Sequence, residues 1–451
     1  RYLVDPVDKK VRSQVSLTSH LPSVLSASIL ECHLRDLLRG YNLREYNRNV
    51  RLFFLFGIPV IAGMMVQGLL YNLYLTRLGF EEDFIGQIIG LAPIASGLLA
   101  FPTGFISDRI GRRPFLIATS GVLATTQLAM ATLYDPLALL ILSFAAGTSG
   151  AFLWVNHVPF LGENARPERR AQAIAIWMSL QAITRMVVSL GAGYLPDLMA
   201  SLTATDPTLP EPYRYALYLG AMLSILSALP LLGVASGVRK APTSEDTFDD
   251  APFPKRVFVA FSAISVCRGA SMGLSFPFFN VFLQEDLSTP TQMIGVIFFI
   301  AQIVTVPATV LAPAMVRSFG PVKTIVPCRI LGSFSLAYLG FVGDIWLALP
   351  LILVSATAEA ITTPSEMTFA TQVMPRKYWG RIQSVRVTGF QIPSGVASFV
   401  AGFLIVTYGY WMTFALSGGL KLTSALIFLA AFKDTDVKEP TDTTATDLHV
   451  R

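Results

Sequence analysis

Four ionisable side chains stand in the middle of long apolar runs: Arg185, Arg268, Glu359 and Lys421. At a rise of about 1.5 Å per helical residue, each falls near the middle of a run long enough to cross a bilayer. A charge at that depth costs about 2.5–3.5 kcal/mol on insertion scales, so it needs a partner, a wet cavity or a task. Three cations against one acid point to electrostatic capture of a solute's anionic group, with Arg185 and Arg268 as the holding charges. The plainer reading is a structural ion pair, Arg268 with Glu359. Glu359 is also the leading candidate to carry a coupling proton. His157 and Glu366, nearer the ends of their runs, are further proton candidates, because an imidazole or a buried carboxyl can titrate in the physiological range; a structural role at the rim is the alternative for each.

Neutral polar residues fill out this picture. Asn156 and Gln181 are candidate hydrogen-bonding partners of a solute. Asn72, Asn280, Gln302 and Gln391 can do the same or join helices to one another, the latter contributing roughly 0.6 kcal/mol per contact. Trp154 and Phe276 are candidates to stack on an apolar solute, although packing or lipid contact also suits them. Gly273 and Pro277 mark a kink. The sequence has no nucleotide-binding glycine loop, metal-ligand cluster or nucleophile triad. Neither an enzyme nor a cofactor, metal or ATP requirement is expected of this chain.

These residues need elements to hold them. Of 451 residues, 53% are hydrophobic and 14% charged, whereas soluble domains carry about 25% charged residues. A spanning helix needs about 20 apolar residues. Twelve runs qualify: 52–76, 84–106, 114–133, 136–161, 171–195, 213–235, 257–284, 291–315, 324–342, 346–370, 383–407 and 411–432. Alternate loops are basic, with Arg109, Arg112 and Arg113, Arg166, Arg169 and Arg170, or Arg376, Lys377 and Arg381. The opposite loops hold Glu81, Glu82, Asp83, Asp135, Asp197, Asp206, Glu285 and Asp344. The basic set is expected in the cytoplasm, which places both termini there for a multi-pass protein of the plasma membrane. The formal charge of +5 reflects this loop bias. No basic stripe with interleaved aromatics suggests nucleic-acid binding. Three scattered cysteines, Cys32, Cys267 and Cys328, make no disulfide framework.

The division expected is a cytoplasmic tail over 1–50, a six-helix bundle over 51–236, a linker over 237–256, a second bundle over 257–432, and a disordered tail over 433–451. Within the first tail, 21–38 reads either as an amphipathic helix on the inner surface or as disorder. The bundles repeat one another. A shift of about 208 residues lays YNLYL at Tyr71 on FNVFL at Phe279, so Asn72 meets Asn280. With one residue added, Gly86 meets Gly295 and Gly111 meets Gly320. Parallel halves of this kind are an architecture of rocking carriers.

Between the second and third runs lies GFISDRIGRRP, from Gly104 to Pro114. A tight turn there needs Gly111, which tolerates positive φ. Gly104 allows close helix approach, and Asp108 is suited to the positive N-terminal end of a facing helix, an attraction of about 0.3–1 kcal/mol when exposed. This loop resembles the signature loop of the major facilitator superfamily, with Ile106 in place of the usual leucine. The likeness extends over about residues 50–432. It implies an all-α membrane protein of twelve transmembrane helices in two six-helix bundles, related by a pseudo-two-fold axis along the membrane normal. It also implies that spans 1, 4, 7 and 10 line the cavity with 2, 5, 8 and 11 beside them, while 3, 6, 9 and 12 are peripheral. That would set Lys421 aside as a snorkelling or peripheral charge. By resemblance, Asp108 engages the start of span 11 at Gly380 to Gln383 and Arg112 pairs with Glu163, a latch that favours the outward-open state. The second half departs from the pattern: Arg317 stands for the aspartate, and Pro321 and Val322 for the arginines. Patterns of many proton-driven drug exporters are also missing; Ala146 occupies their span-4 arginine position, and Gly191, Gly193 and Pro196 only echo their span-5 motif.

The function expected is secondary active transport of a small organic solute by alternating access, with protons as coupling ion, by a monomer embedded in the bilayer. Export of amphipathic compounds and uptake of an organic anion compete within that class. A sensor or scaffold of the same fold, without transport, is the reading from a different class.

Overall fold

Loop chemistry sets where the helices start and stop. Asp135 caps the helix that follows it, accepting from the Ala138 amide at 2.8 Å, with Pro136 in the first turn. Its repeat partner Asp344 accepts from the Trp346 amide at 3.3 Å. Gly111 ends one helix and starts the next at φ 96°, and Gly320 does so at φ 83°. The computed structural model describes residues 46–166, 169–235, 253–375 and 378–433. The 21–38 segment, most of the linker and the final tail lie outside the described residues.

Twelve helices are long and apolar enough to cross a membrane among the described residues. They are α1 (Arg48–Arg77), α2 (Glu82–Ile110), α3 (Arg112–Thr132), α4 (Pro136–Asn164), α5 (Arg170–Thr203) and α6 (Pro210–Leu226, continued by the turn Ala228–Leu232). The second half holds α7 (Lys255–Ser275), α8 (Thr291–Phe319), α9 (Pro321–Leu339), α10 (Ile345–Val373), α11 (Trp379–Tyr408) and α12 (Tyr410–Phe432). Most run a few residues past the apolar limits read from sequence. The backbone continues its hydrogen bonding into the polar interface, and hydropathy alone does not register that. At the expected kink α7 gives way to a tight 3-10 turn, Phe276–Phe278, and then to a wide π turn, Phe282–Asp286. Pro277 lacks the amide that would continue the ladder. Large apolar side chains such as Leu137, Ile141, Val310 and Phe334 face outward, as lipid-solvated helices require.

The repeat seen in sequence is present in the contacts. Asn72 donates to the Pro277 carbonyl at 2.5 Å, and Asn280 donates to the Leu69 carbonyl at 2.8 Å. Each asparagine thus bonds a carbonyl three residues before the other. Gly86 of α2 lies against the Ser398 carbonyl and Gly402 of α11; Gly295 of α8 lies against the Ser189 carbonyl and Gly193 of α5. A Cβ at Gly86 would fall 2.5 Å from the Ser398 oxygen, and one at Gly295 2.7 Å from the Ser189 oxygen. Tyr213 bonds Thr291 at 2.8 Å, and Tyr410 donates to Glu82 at 3.2 Å. Three pairs of contacts are therefore related by the same two-fold.

All of these inter-half contacts lie toward the acidic-loop end. There the two halves share one apolar core, which includes Leu70, Leu73, Phe278, Phe282 and Phe414. At the basic-loop end each half keeps its own core, one around Phe53, Phe160 and Trp177, the other around Phe261, Phe369 and Phe428.

Candidate functional site

α7 carries Arg268 one turn before Met272, and α10 carries Glu359 and Glu366 seven residues apart. Two helical turns put the two carboxylates on one face, and Arg268 reaches both. Its Nη2 pairs with Glu359 Oε1 and donates to Thr363 Oγ1 at 2.7 Å, while its Nη1 lies 3.3 Å from Glu366 Oε2. Two helices expected to be peripheral, α9 and α12, and one expected beside the cavity, α11, complete the cluster. Arg329 of α9 pairs with Glu366 Oε2, Arg386 of α11 lies 3.2 Å from Glu366 Oε1, and Lys421 Nζ of α12 lies 3.3 Å from Glu359 Oε2.

Four cations therefore share two carboxylates, leaving two positive charges in excess. The carboxylates differ. Glu366 has no exposed side-chain surface, whereas Glu359 is 34% exposed. The Nε groups of Arg268, Arg329 and Arg386 have no acceptor among the described residues. Arg268 also sits over the Phe390 ring, 6.0 Å from its centre.

Glu359, Arg268 and Lys421 line a cavity of about 490 Å³ between α7, α8 and α10. Thr363 and Gln302 add polar groups, and Met272, Phe276, Phe279 and Phe298 form an apolar wall. Phe276 is thus a cavity residue rather than only a packing one.

The other candidates lie elsewhere. Arg185 is half-buried on α5, outside this cavity lining, and makes no ion pair or hydrogen bond with the described residues. Gln181 is buried, with its amide 4.0 Å from the Met178 sulfur. Asn156 is fully buried; it donates to the Phe152 carbonyl at 2.8 Å and accepts from Arg112 Nη1 at 3.1 Å. It belongs to the basic-end cluster in which Arg112 Nε meets Glu163 at 2.6 Å. That pair joins α3 to α4 inside the first half, so it does not itself bridge the halves. Gly111 makes the turn before it. Gly104 and Asp108 lie in the closing turns of α2 and Gly380 in the first turn of α11; their contacts lie outside what is described. His157 is buried between Trp154 and Trp177, with ring centres 5.1 and 5.5 Å away.

Two sequence readings need correction. Lys421 neither snorkels nor stays peripheral: it is buried, and its four-carbon stem carries the ammonium inward to Glu359. The balance of three bases against one acid also gives way to the larger cluster, because Arg329 and Arg386 had been overlooked. The signal was faint, since Arg329 and Arg386 stand within the first two turns of runs 324–342 and 383–407, close enough to the basic-loop end to read as interfacial charges.

The family model described as Major Facilitator Superfamily matches the chain twice, over residues 52–265 and 261–450. The chain belongs to the Major Facilitator Superfamily. Within this superfamily it is similar to the inner membrane transport protein YajR of Escherichia coli (strain K12), with 29% identity over 120 residues. That match covers 27% of this chain and 26% of the relative, so the chain spans about a quarter of the length of the curated relative it matches. In structure it resembles a variant of the nucleoside transporter NupG, with TM-score 0.67, 16% identity, and coverage of 84% of this chain and all of that one. It also resembles a bacterial homologue of the iron transporter ferroportin in an inward-facing state, with TM-score 0.67, 15% identity, and coverage of 85% and 98%. At such identities the likeness is one of fold. The superfamily chain is a multi-pass membrane protein of a transporter fold.

Proposed function

We propose that this protein is a secondary active transporter that moves a small organic solute across the plasma membrane by alternating access, as a proton-coupled monomer with both termini cytoplasmic. The observation that carries this reading is the charged wall of the cavity between α7, α8 and α10, set in one of two bundles that share an apolar core at the acidic-loop end and keep separate cores at the basic-loop end. With the basic loops in the cytoplasm, that joint closes the outer end, and the state is inward-facing. Arg268, Glu359 and Lys421 form the solute site, and Arg185 is the first half's contribution to it. Glu359 is the proton carrier, because it alone of the two carboxylates reaches the cavity; Glu366 and His157 are structural. The latch residues Gly104, Asp108, Gly111, Arg112 and Glu163 act when the halves close at the basic end. The excess of positive charge favours an organic anion over an amphipathic drug.

Counterflow in proteoliposomes tests the reading. Anionic solutes should exchange and cationic ones should not, and an imposed pH gradient should drive accumulation. A protein that catalyses no exchange of any solute class is a sensor or scaffold of this fold. A preference for cations reverses the charge assignment.

A further inference from the structure

Resting on the transport reading, we propose that the cavity takes an organic monocarboxylate with an apolar, ring-sized body, and that its acid group replaces Glu359 on Arg268 and Lys421. Glu359 spans these two cations with one oxygen on each. Any carboxylate presents the same pair of acceptors, so the site already displays the geometry its ligand must copy. Glu359 can give way because it is partly exposed at the cavity wall. Glu366 cannot, because it is enclosed and held by Arg268, Arg329 and Arg386.

The remaining wall defines the rest of the ligand. Met272, Phe276, Phe279, Phe298 and Phe390 offer rings and a thioether to an apolar body. A polyol would find few donors there, because the hydroxyls of Ser271, Ser275, Thr305 and Thr309 already donate to backbone carbonyls, and hydroxyls left unpaired against the rings are costly. A second acid group would find Arg329 and Arg386 already committed to Glu366. A cavity of about 490 Å³ lies within the roughly 300–1,000 Å³ of small-molecule sites.

Charge then ties the ligand to a proton. The groups acting on Glu359 are Arg268 from α7, Lys421 from α12, Arg329 from α9, and Thr363 on α10 itself, while Glu366 shares Arg268 with it. An arriving carboxylate adds a negative charge to this set, and a proton bound by the displaced Glu359 removes one. One anion and one proton enter from the open side and leave together on the other, so the cycle moves no net charge.

The test uses the full chain, first in detergent and then in liposomes, with benzoate, phenylacetate and their neutral amides as probes. Each acid should raise the unfolding temperature and compete in counterflow, and its amide should do neither. Glu359→Gln should bind benzoate about tenfold more tightly, because the internal competitor is gone. The pH dependence of binding between about pH 5 and 8 should vanish, uphill uptake driven by a pH gradient should be lost, and exchange should persist. Arg268→Gln should abolish binding. A purely structural Glu359 predicts weaker binding in Glu359→Gln. That result, or acids binding no better than their amides in the unaltered protein, overturns the proposal. Benzylamine exchange without benzoate exchange sinks the monocarboxylate and spares the transporter. Benzoate binding without any flux does the reverse.

Discussion

The two halves of this protein share a backbone plan and differ in what they bury on it. At matching positions the second half holds Arg329, Glu366 and Arg386 where the first holds Ser120, His157 and Trp177. In the first half His157 packs on Trp177 as one ring against another. In the second, the same contact is a carboxylate among guanidinium groups. The seam between the first and last helices of each half repeats the contrast. Gly63 lies close against Gly220 and Ser224 in one half; in the other Ser271 bonds Ser417, and Lys421 stands where Ser224 would. One half fills these positions with uncharged packing, and the other places charge on them. The lesson is that a duplicated frame keeps its backbone contacts while its interior becomes free to specialise.

The sharpest way to break this comparison is to treat the matched positions alike. Glu366→Gln leaves buried cations without their counter-charge and should cost about 3–5 kcal/mol, read as a large drop in the unfolding temperature in detergent. Adding Arg329→Met to it should recover part of that loss. The matched change His157→Leu swaps one packed ring for an aliphatic group and should cost under about 1.5 kcal/mol. Equal losses would mean that the halves are stabilised in the same manner. The glycine seams should behave as a pair. Gly86→Ala and Gly295→Ala each push a Cβ onto a serine carbonyl and should each cost about 1–3 kcal/mol, with cross-linking between the halves at the acidic end weakened to a similar extent. The asparagine pair should show the smallest effect. Asn72→Ala and Asn280→Ala should each remove about 1 kcal/mol and shift the population toward the state open at the acidic end, measured as faster thiol labelling there. A shift from only one of the two would show that the two-fold is geometric but not energetic.

Much of the frame was legible in the sequence. The twelve apolar runs return as twelve helices, and the repeat that aligns Asn72 with Asn280 returns as a pair of crossed contacts. Lipid makes the first a rule of length and duplication makes the second a rule of register, and such rules survive without knowledge of packing. The site was only partly legible. Hydropathy gives the depth of Lys421 but not the direction in which it points, and direction decides whether a long side chain snorkels or turns inward. Asn156 shows the converse: a polar residue at a plausible depth is taken up by Arg112, a neighbour from another helix that a linear reading cannot bring beside it. Arg329 and Arg386, near the ends of their runs, read as interfacial charges and acquire meaning only once three helices converge on Glu366.

The crossed asparagines carry one last implication. Because each reaches a carbonyl the same number of residues behind its mate, the joint is isologous, reading identically from either side. A solitary six-helix unit with that asparagine could therefore clasp a copy of itself through the identical handshake, so covalent fusion of two such units leaves the joint's chemistry unaltered.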